Sequence, residues 1–515
     1  MIDRREFIRV AGLLGVSQAL PVRATDRKVS FDSYPFTLGV ASGYPTPDGF
    51  VLWTRLAPRP LEPGGGLAPE PVPMRWEVAE DQGFSRIVAS RAEFPGPEWA
   101  HSVHAQVTGL APDRWYFYRF LAGDAVSPVG RTRTAPAADA AATRLRFAFA
   151  SCQQYEQGWF TAHRHMAGDD LDLVAFLGDY IYETSWGREH VRKHGAGEPY
   201  SLDEYRARYA LYKSDADLQK AHHAFPWIVT WDDHEVDNDY AAARPEDGMP
   251  REQFLRRRAA AYRAYYEHMP LPSSMRPEGP DMRIYTELRW GRLANFYVLD
   301  DRQYRAHQVC PSRPGGSTVV DPQVCRDIDV PARSMLGAGQ ERWLERAFAA
   351  SGAQWNILAQ QTLMAQLDRK LGEGRQFWTD GWDGYPAARR RLLETIAASG
   401  LRNPVVIGGD VHINWVADLK PDFDDPKSPV VASEFCGTSI TSQGASQKMV
   451  DALLRENAHF HYGRSDRRGY VRASIAGGRF NAELIGLETV KKPESQAEVL
   501  ARFVVEDGKP GPQKT

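Results

Sequence analysis

Three apolar runs in this chain stop on side chains that bind metals: Phe176-Leu-Gly-Asp-Tyr-Ile-Tyr-Glu183, Trp231-Asp-Asp-His-Glu235 and Gly408-Gly-Asp-Val-His412. Short apolar runs read as strands buried on both faces of a parallel sheet, and such sheets bind ligands beyond their carboxyl ends. Three strand ends converging on one point predict a metal centre.

At 515 residues the chain is too long for one ordinary domain and long enough for a large core. Its net charge of −3 gives no basic field, so no stable nucleic-acid partner is expected. The clusters Arg256-Arg-Arg258 and Arg389-Arg-Arg391 fall in helical patterns and read as solvated helix faces. At the N-terminus, Arg4-Arg5 precede a mildly apolar run from Val10 to Leu20 and a small-x-small site at Val22-Arg23-Ala24. Residues 1–24 are therefore read as a twin-arginine export signal, with the twin-arginine machinery as partner and the periplasm or exterior as destination. No later run is apolar for long enough to span a bilayer.

Cys310 and Cys325 flank a Pro/Gly/Ser-rich loop; in an oxidising compartment they can pair, or they stand as two surface thiols. Cys152 and Cys436 lie in apolar strand contexts.

Residues 33–134 carry β signals only. Alternating runs such as Met74-Arg-Trp-Glu-Val78 are separated by turn clusters such as Pro63-Gly-Gly-Gly66. Val107 to Tyr118 reads as the corner entering a late strand of a fibronectin-like sandwich, with a Tyr near the strand's start. A small, Pro-bearing linker follows at 135–142. From 143 to 506 apolar runs alternate with helical stretches at 202–223, 251–268, 340–351 and 387–399, which argues α/β. Strands return past Val430, suggesting a second sheet packed on the first, and 507–515 reads as a loose tail.

The candidate metal ligands are Cys152, Asp179, Tyr182, Asp233, Asp410 and His412, each just past an apolar run. Alternation on an extended chain would let Asp410 and His412 face one site if their strand continues that far. Thiolate, phenolate and imidazole suit a highly charged transition metal, whereas Asp233 and Asp410 offer oxygen alone, as calcium or magnesium prefers. Asp179 can bridge the two. His234 is the candidate catalytic residue: it contacts phosphoryl oxygens or protonates a leaving group, or else it orients Asp233. Arg302 is either a phosphate contact or an ion-pair partner of Asp300, and Asn238 is a weaker candidate for a further calcium.

In order along the chain, Ala150-Ser-Cys-Gln153, Leu177-Gly-Asp-Tyr-Ile-Tyr-Glu183, Trp231-Asp-Asp-His-Glu235, Leu299-Asp-Asp-Arg-Gln-Tyr304, Trp382-Asp-Gly-Tyr-Pro386 and Gly408-Gly-Asp-Val-His412 resemble the motifs of the alkaline phosphatase D (PhoD-like) family, within the calcineurin-like metallophosphoesterase superfamily. The resemblance implies a two-sheet metallophosphoesterase sandwich flanked by helices behind the fibronectin-like domain. It implies Fe3+ held by Cys152, Asp179, Tyr182 and His412, and Ca2+ at Asp179, Asp233 and Asp410. The wider superfamily has Asp, Asn and His where this chain has Cys152, Asp233 and Asp410, so its metals need not carry over. The expected activity is hydrolysis of phosphomonoesters and phosphodiesters by a metal-bound hydroxide, with small phosphate esters or lipid or nucleotide diesters as substrates. Three rivals stand beside it: a phospholipase D-like lipid phosphodiesterase, a thiol hydrolase using Cys152, and a non-enzymatic exported binding protein whose metals only staple loops.

Overall fold

The computed structural model describes residues 30–311 and 315–515; the predicted export signal lies outside them. The expected α/β architecture is present. Two large sheets face each other across one core. The first holds ten strands, with a parallel centre formed by Arg144–Ala150, Leu173–Leu177 and Pro226–Thr230. The second holds seven, and its parallel centre is Ala294–Val298, Trp355–Ala359, Pro404–Gly408 and Ala432–Cys436. Every one of these strands except the first is buried along its whole length, as the apolar runs require. The facing surfaces interlock through aromatic rings: Phe147 meets Phe296 at 5.2 Å edge-on, and Phe435 stacks on Phe480 at 5.5 Å.

The front sandwich forms, and it is continuous with the first sheet. Val40–Thr46, Gly49–Arg55 and Ser102–Val107 extend the ten-stranded sheet through a parallel pairing of Ser42 with Pro226. Val40–Thr46 is buried at six consecutive residues, so it cannot serve as a free edge and takes a second partner. The opposing sheet is built on Met74–Ala79 and Trp115–Ala122, and the two pack around Phe50, Leu52, Trp76 and Tyr118. The predicted corner is in place: the Tyr116 hydroxyl accepts from the Ala111 amide at 3.1 Å and donates to its carbonyl at 3.3 Å.

Local signals explain the helices and their breaks. Ser201 and Glu204 form a reciprocal capping box that starts Leu202–Lys213. The helical stretch read at 202–223 is two helices, because Asp215 caps Ala216–Ala224. The helix Gln447–Glu456 lies in a region read as strands alone, and the closing residues pair as the strand Lys509–Lys514 instead of forming a loose tail. Among the described residues no helix is long and apolar enough to cross a membrane.

The arginine clusters differ from the solvated faces expected of them. Arg257 is only 3% exposed and pairs with Asp237 at 2.9 Å and Glu198 at 2.6 Å. Arg258 and Arg389 are buried too, on Asp281 and Asp383. A planar fork whose donors all find oxygen can be buried, and helical spacing gives no sign of it.

Cys310 and Cys325 are disulfide-bonded, with Cα atoms 6.1 Å apart. Cys325 packs with Val309, Val320, Ile328 and Phe377 in a small cluster beneath the two-stranded ribbon Val319–Val320 and Phe377–Trp378. Replacing both cysteines by serine is expected to lower the unfolding free energy by about 3 kcal/mol, the loop-closure value for this span. Urea denaturation of the oxidised protein and the double variant checks it; equal midpoints and slopes would show that the ribbon holds without the bridge.

Candidate metal centre

Strands of both sheets, Leu173–Leu177 and Pro226–Thr230 of the first and Pro404–Gly408 of the second, deliver their carboxyl ends to one cavity of about 560 Å3, lined by Asp179, Asp233, His234, Asp410 and His412 among others. The turn after each strand aims the side chain. Cys152, Asp179, Asp410 and His412 all have left-handed backbone, with φ of 60°, 56°, 64° and 56°. This conformation costs a non-glycine L-residue roughly 1–2 kcal/mol. Four such residues at one site mark a place where geometry is held against local preference. Gly178 makes the turn before Asp179 possible: its φ is 106°, and a Cβ there would lie 2.4 Å from the Asp232 Cβ.

Asp410 and His412 reach one cavity by a different route from the one expected. Their strand ends at Gly408, and two left-handed residues bring both side chains inward instead of strand alternation. The buried Glu235 carboxylate braces two neighbouring turns, accepting from the amides of Asp232 at 2.8 Å, Asp179 at 3.2 Å and Tyr180 at 2.5 Å.

The donor atoms fall into two adjoining sets that share Asp179. One ligand atom each from Cys152, Asp179 and His412 lies within 4.8 Å of the others, and the same holds for Asp179, Asp233 and His234. Tyr182 joins the first set, its hydroxyl 2.7 Å from Asp179 Oδ2 and 3.2 Å from His412 Nε2. Asp410 lines the cavity and accepts from Thr362 Oγ1 at 2.5 Å. All six predicted ligands border one site.

Its electrostatics call for cations. Burial, then the Asp179 charge, pushes the Cys152 thiol and the Tyr182 phenol well above their ordinary values. Burial raises Asp179 and Asp410 in the same way, reinforced by neighbouring carboxylates. Oδ1 of Asp179 is buried with no hydrogen-bond partner, and buried Oδ1 of Asp233 has only the Arg302 guanidinium, at 3.6 Å. Under-partnered carboxyl oxygens beside a thiol, a phenol and an imidazole fit a metal-binding donor set, and cations there would remove the cost of ionising them.

His234 is held differently. Its Nδ1 lies 2.7 Å from Glu183 Oε2, and Glu183 Oε1 accepts from the Asn238 amide at 3.0 Å. Burial opposes a charge on His234, but Glu183, Asp233 and Asp179 outweigh it and hold the imidazolium well above its usual pKa. Glu183 stands inside a motif singled out in the sequence, but only the fold reveals that it orients His234. Asn238 lines the same cavity.

Arg302 is 1% exposed and bound to Asp232 and Asp380, the latter at 2.7 Å; Asp300 accepts only its backbone amide. The expected ion pair with Asp300 does not form; Asp232 and Asp380 take the guanidinium instead. Asp380 and Asp239, which approach Asp233, carried no signal in the sequence.

Residues 147–484 match the family described as PhoD-like phosphatase, and residues 22–136 match PhoD-like phosphatase, N-terminal domain. The chain belongs to the PhoD-like phosphatase family. Alkaline phosphatase D of Bacillus subtilis (strain 168) is 45% identical over 527 residues, covering 99% of this chain and 89% of that protein. A solved structure of PhoD superposes with a TM-score of 0.89 at 46% identity, covering 95% of this chain and 93% of that one.

Proposed function

We propose that this protein is an exported, metal-dependent hydrolase of phosphate esters, an alkaline phosphatase D-like enzyme acting on mono- and diesters. The observation that carries the reading is the pair of donor sets joined through Asp179. Cys152, Asp179, Tyr182 and His412 would hold iron(III), and Asp179, Asp233 and Asp410 would hold calcium. Bound there, the metals would supply neutralisation of phosphoryl charge and acidification of a water nucleophile.

The chain's own groups do the rest. Ser442 Oγ donates to the Tyr182 hydroxyl oxygen at 2.8 Å and fixes it toward Asp179. His412 Nδ1 donates to the Gln443 carbonyl at 2.8 Å, which leaves Nε2 as its ligand atom. Glu183 accepts a hydrogen bond from His234 Nδ1, and His234 Nε2 holds a proton for the leaving oxygen. The Trp186 ring stacks on His412 at 5.7 Å and shields that side from water. Residues 1–24 act as the twin-arginine signal that carries the folded protein to the periplasm or beyond. Residues 33–134 form the fibronectin-like domain and 143–506 the catalytic domain, whose sheet the strand Lys509–Lys514 completes.

The test is hydrolysis of p-nitrophenyl phosphate and bis(p-nitrophenyl) phosphate by protein purified from its native host, alongside elemental analysis and a visible spectrum. Cleavage of both esters, bound iron and calcium, and a tyrosinate-to-iron(III) charge-transfer band are expected. A fully metallated sample that leaves both esters intact would favour the metal-stapled binding protein.

A further inference from the structure

Arg369 is the only lysine or arginine lining the cavity among the described residues, and it shares that lining with Trp378, Asp410 and His412. Its guanidinium makes no hydrogen bond or ion pair among the described residues; it lies over the Trp378 ring, with Cζ 5.3 Å from the centroid, and the Asp383 and Asp410 charges act on it without pairing. Nearby arginines are spent: Arg302 and Arg305 on Asp380, Arg257 on Asp237, and Arg468 on the carbonyls of His412 and Ser442.

The loop that carries Arg369 is built to hold it. Asp368 Oδ1 accepts from the amides of Lys370 at 2.8 Å and Gln376 at 3.0 Å, and the Arg369 amide donates to the Gln376 carbonyl at 2.8 Å. Asn457 clamps the Asp368 backbone from below, at 2.9 and 3.0 Å. The Trp378 platform is pinned by its Nε1 donating to Ser317 Oγ at 2.8 Å. A half-buried fork without a hydrogen-bond partner, carried on a fixed loop against a fixed platform, has little freedom left to lose on binding an anion.

We propose that Arg369 is the residue that binds the phosphoryl group from the protein side and favours phosphomonoesters over phosphodiesters. This rests on the phosphoester hydrolase reading above. A monoester dianion has three non-bridging oxygens, so it offers the fork one more than a diester does. A diester has only two, and its second ester group takes the place of the third. Charge-assisted pairing with a dianion is also the stronger.

Arg369→Gln is expected to raise KM for p-nitrophenyl phosphate and the inhibition constant of inorganic phosphate by about 10- to 100-fold, with kcat changed far less. KM for bis(p-nitrophenyl) phosphate should move by less than about threefold, and Arg369→Lys should recover part of the monoester loss. Bound metal, measured on each variant, should stay at the wild-type level. Equal losses on both esters, or an unchanged phosphate inhibition constant, would overturn the assignment. Wild-type protein inert on both esters would instead remove the hydrolase reading itself.

Discussion

Asp179→Asn is expected to lower kcat/KM on p-nitrophenyl phosphate by about a thousandfold or more, with loss of bound metal and little loss of fold. Asp179 belongs to both donor sets, so one substitution weakens both. Asparagine keeps the shape and can still accept from Tyr182, and it tolerates the left-handed backbone, at φ 56°, better than most residues. What it removes is the charge. Oδ1 has no partner in the protein, so no network is broken by the change. Elemental analysis, kinetics and a thermal midpoint on the same preparation separate the effects. A variant with full metal content and normal turnover would show that Asp179 does not bridge, and a collapsed thermal midpoint would mark it as structural.

Stripping the protein with a chelator is expected to abolish hydrolysis and to leave a fold that weakens as pH rises. Burial pushes Glu235 and Asp237 up to about 8, from ordinary values of 4.5 and 3.8, and Asp239 up to about 7. Each of these groups keeps its proton in the folded state over a range where the unfolded chain has released it. Their contribution is therefore fully present below the unfolded values and is lost as pH rises through the folded ones. The thermal midpoint of metal-free protein should fall steadily between about pH 5 and pH 9. Loaded protein should hold its midpoint over the same range, because cations offset the ionised carboxylates. Metal returned at a thousandfold excess over its Kd should restore about 4 kcal/mol. Midpoints that track each other with and without metal across that range would mean that no cation sits among these carboxylates.

Much of the site was legible before any coordinates, because metal ligands are chemically distinctive and because buried parallel strands announce their ends. Asp179, Asp233 and Asp410 each follow a short, largely apolar run, which suits the inside of a sheet covered on both faces. Arg302 went unread because its partners, Asp232 and Asp380, lie 70 and 78 residues away. Buried Arg257 and Arg258 look like solvated residues on any helical pattern, since the oxygens that satisfy them come from other elements. Arg369 carries no motif; its meaning lies in having no partner, which is a property of its surroundings.

Residue types and their spacing establish which side chains can hold a cation, which runs are interior strands, and that the chain is α/β with a β sandwich in front. That these strand ends share one cavity, that left-handed turns aim Asp410 and His412 together, and that the sandwich continues into the central sheet emerge in the folded chain alone. Residue chemistry and burial patterns are local and can be read along the chain. Convergence and partner choice depend on which distant segments meet, and packing the two sheets around a common core settles that.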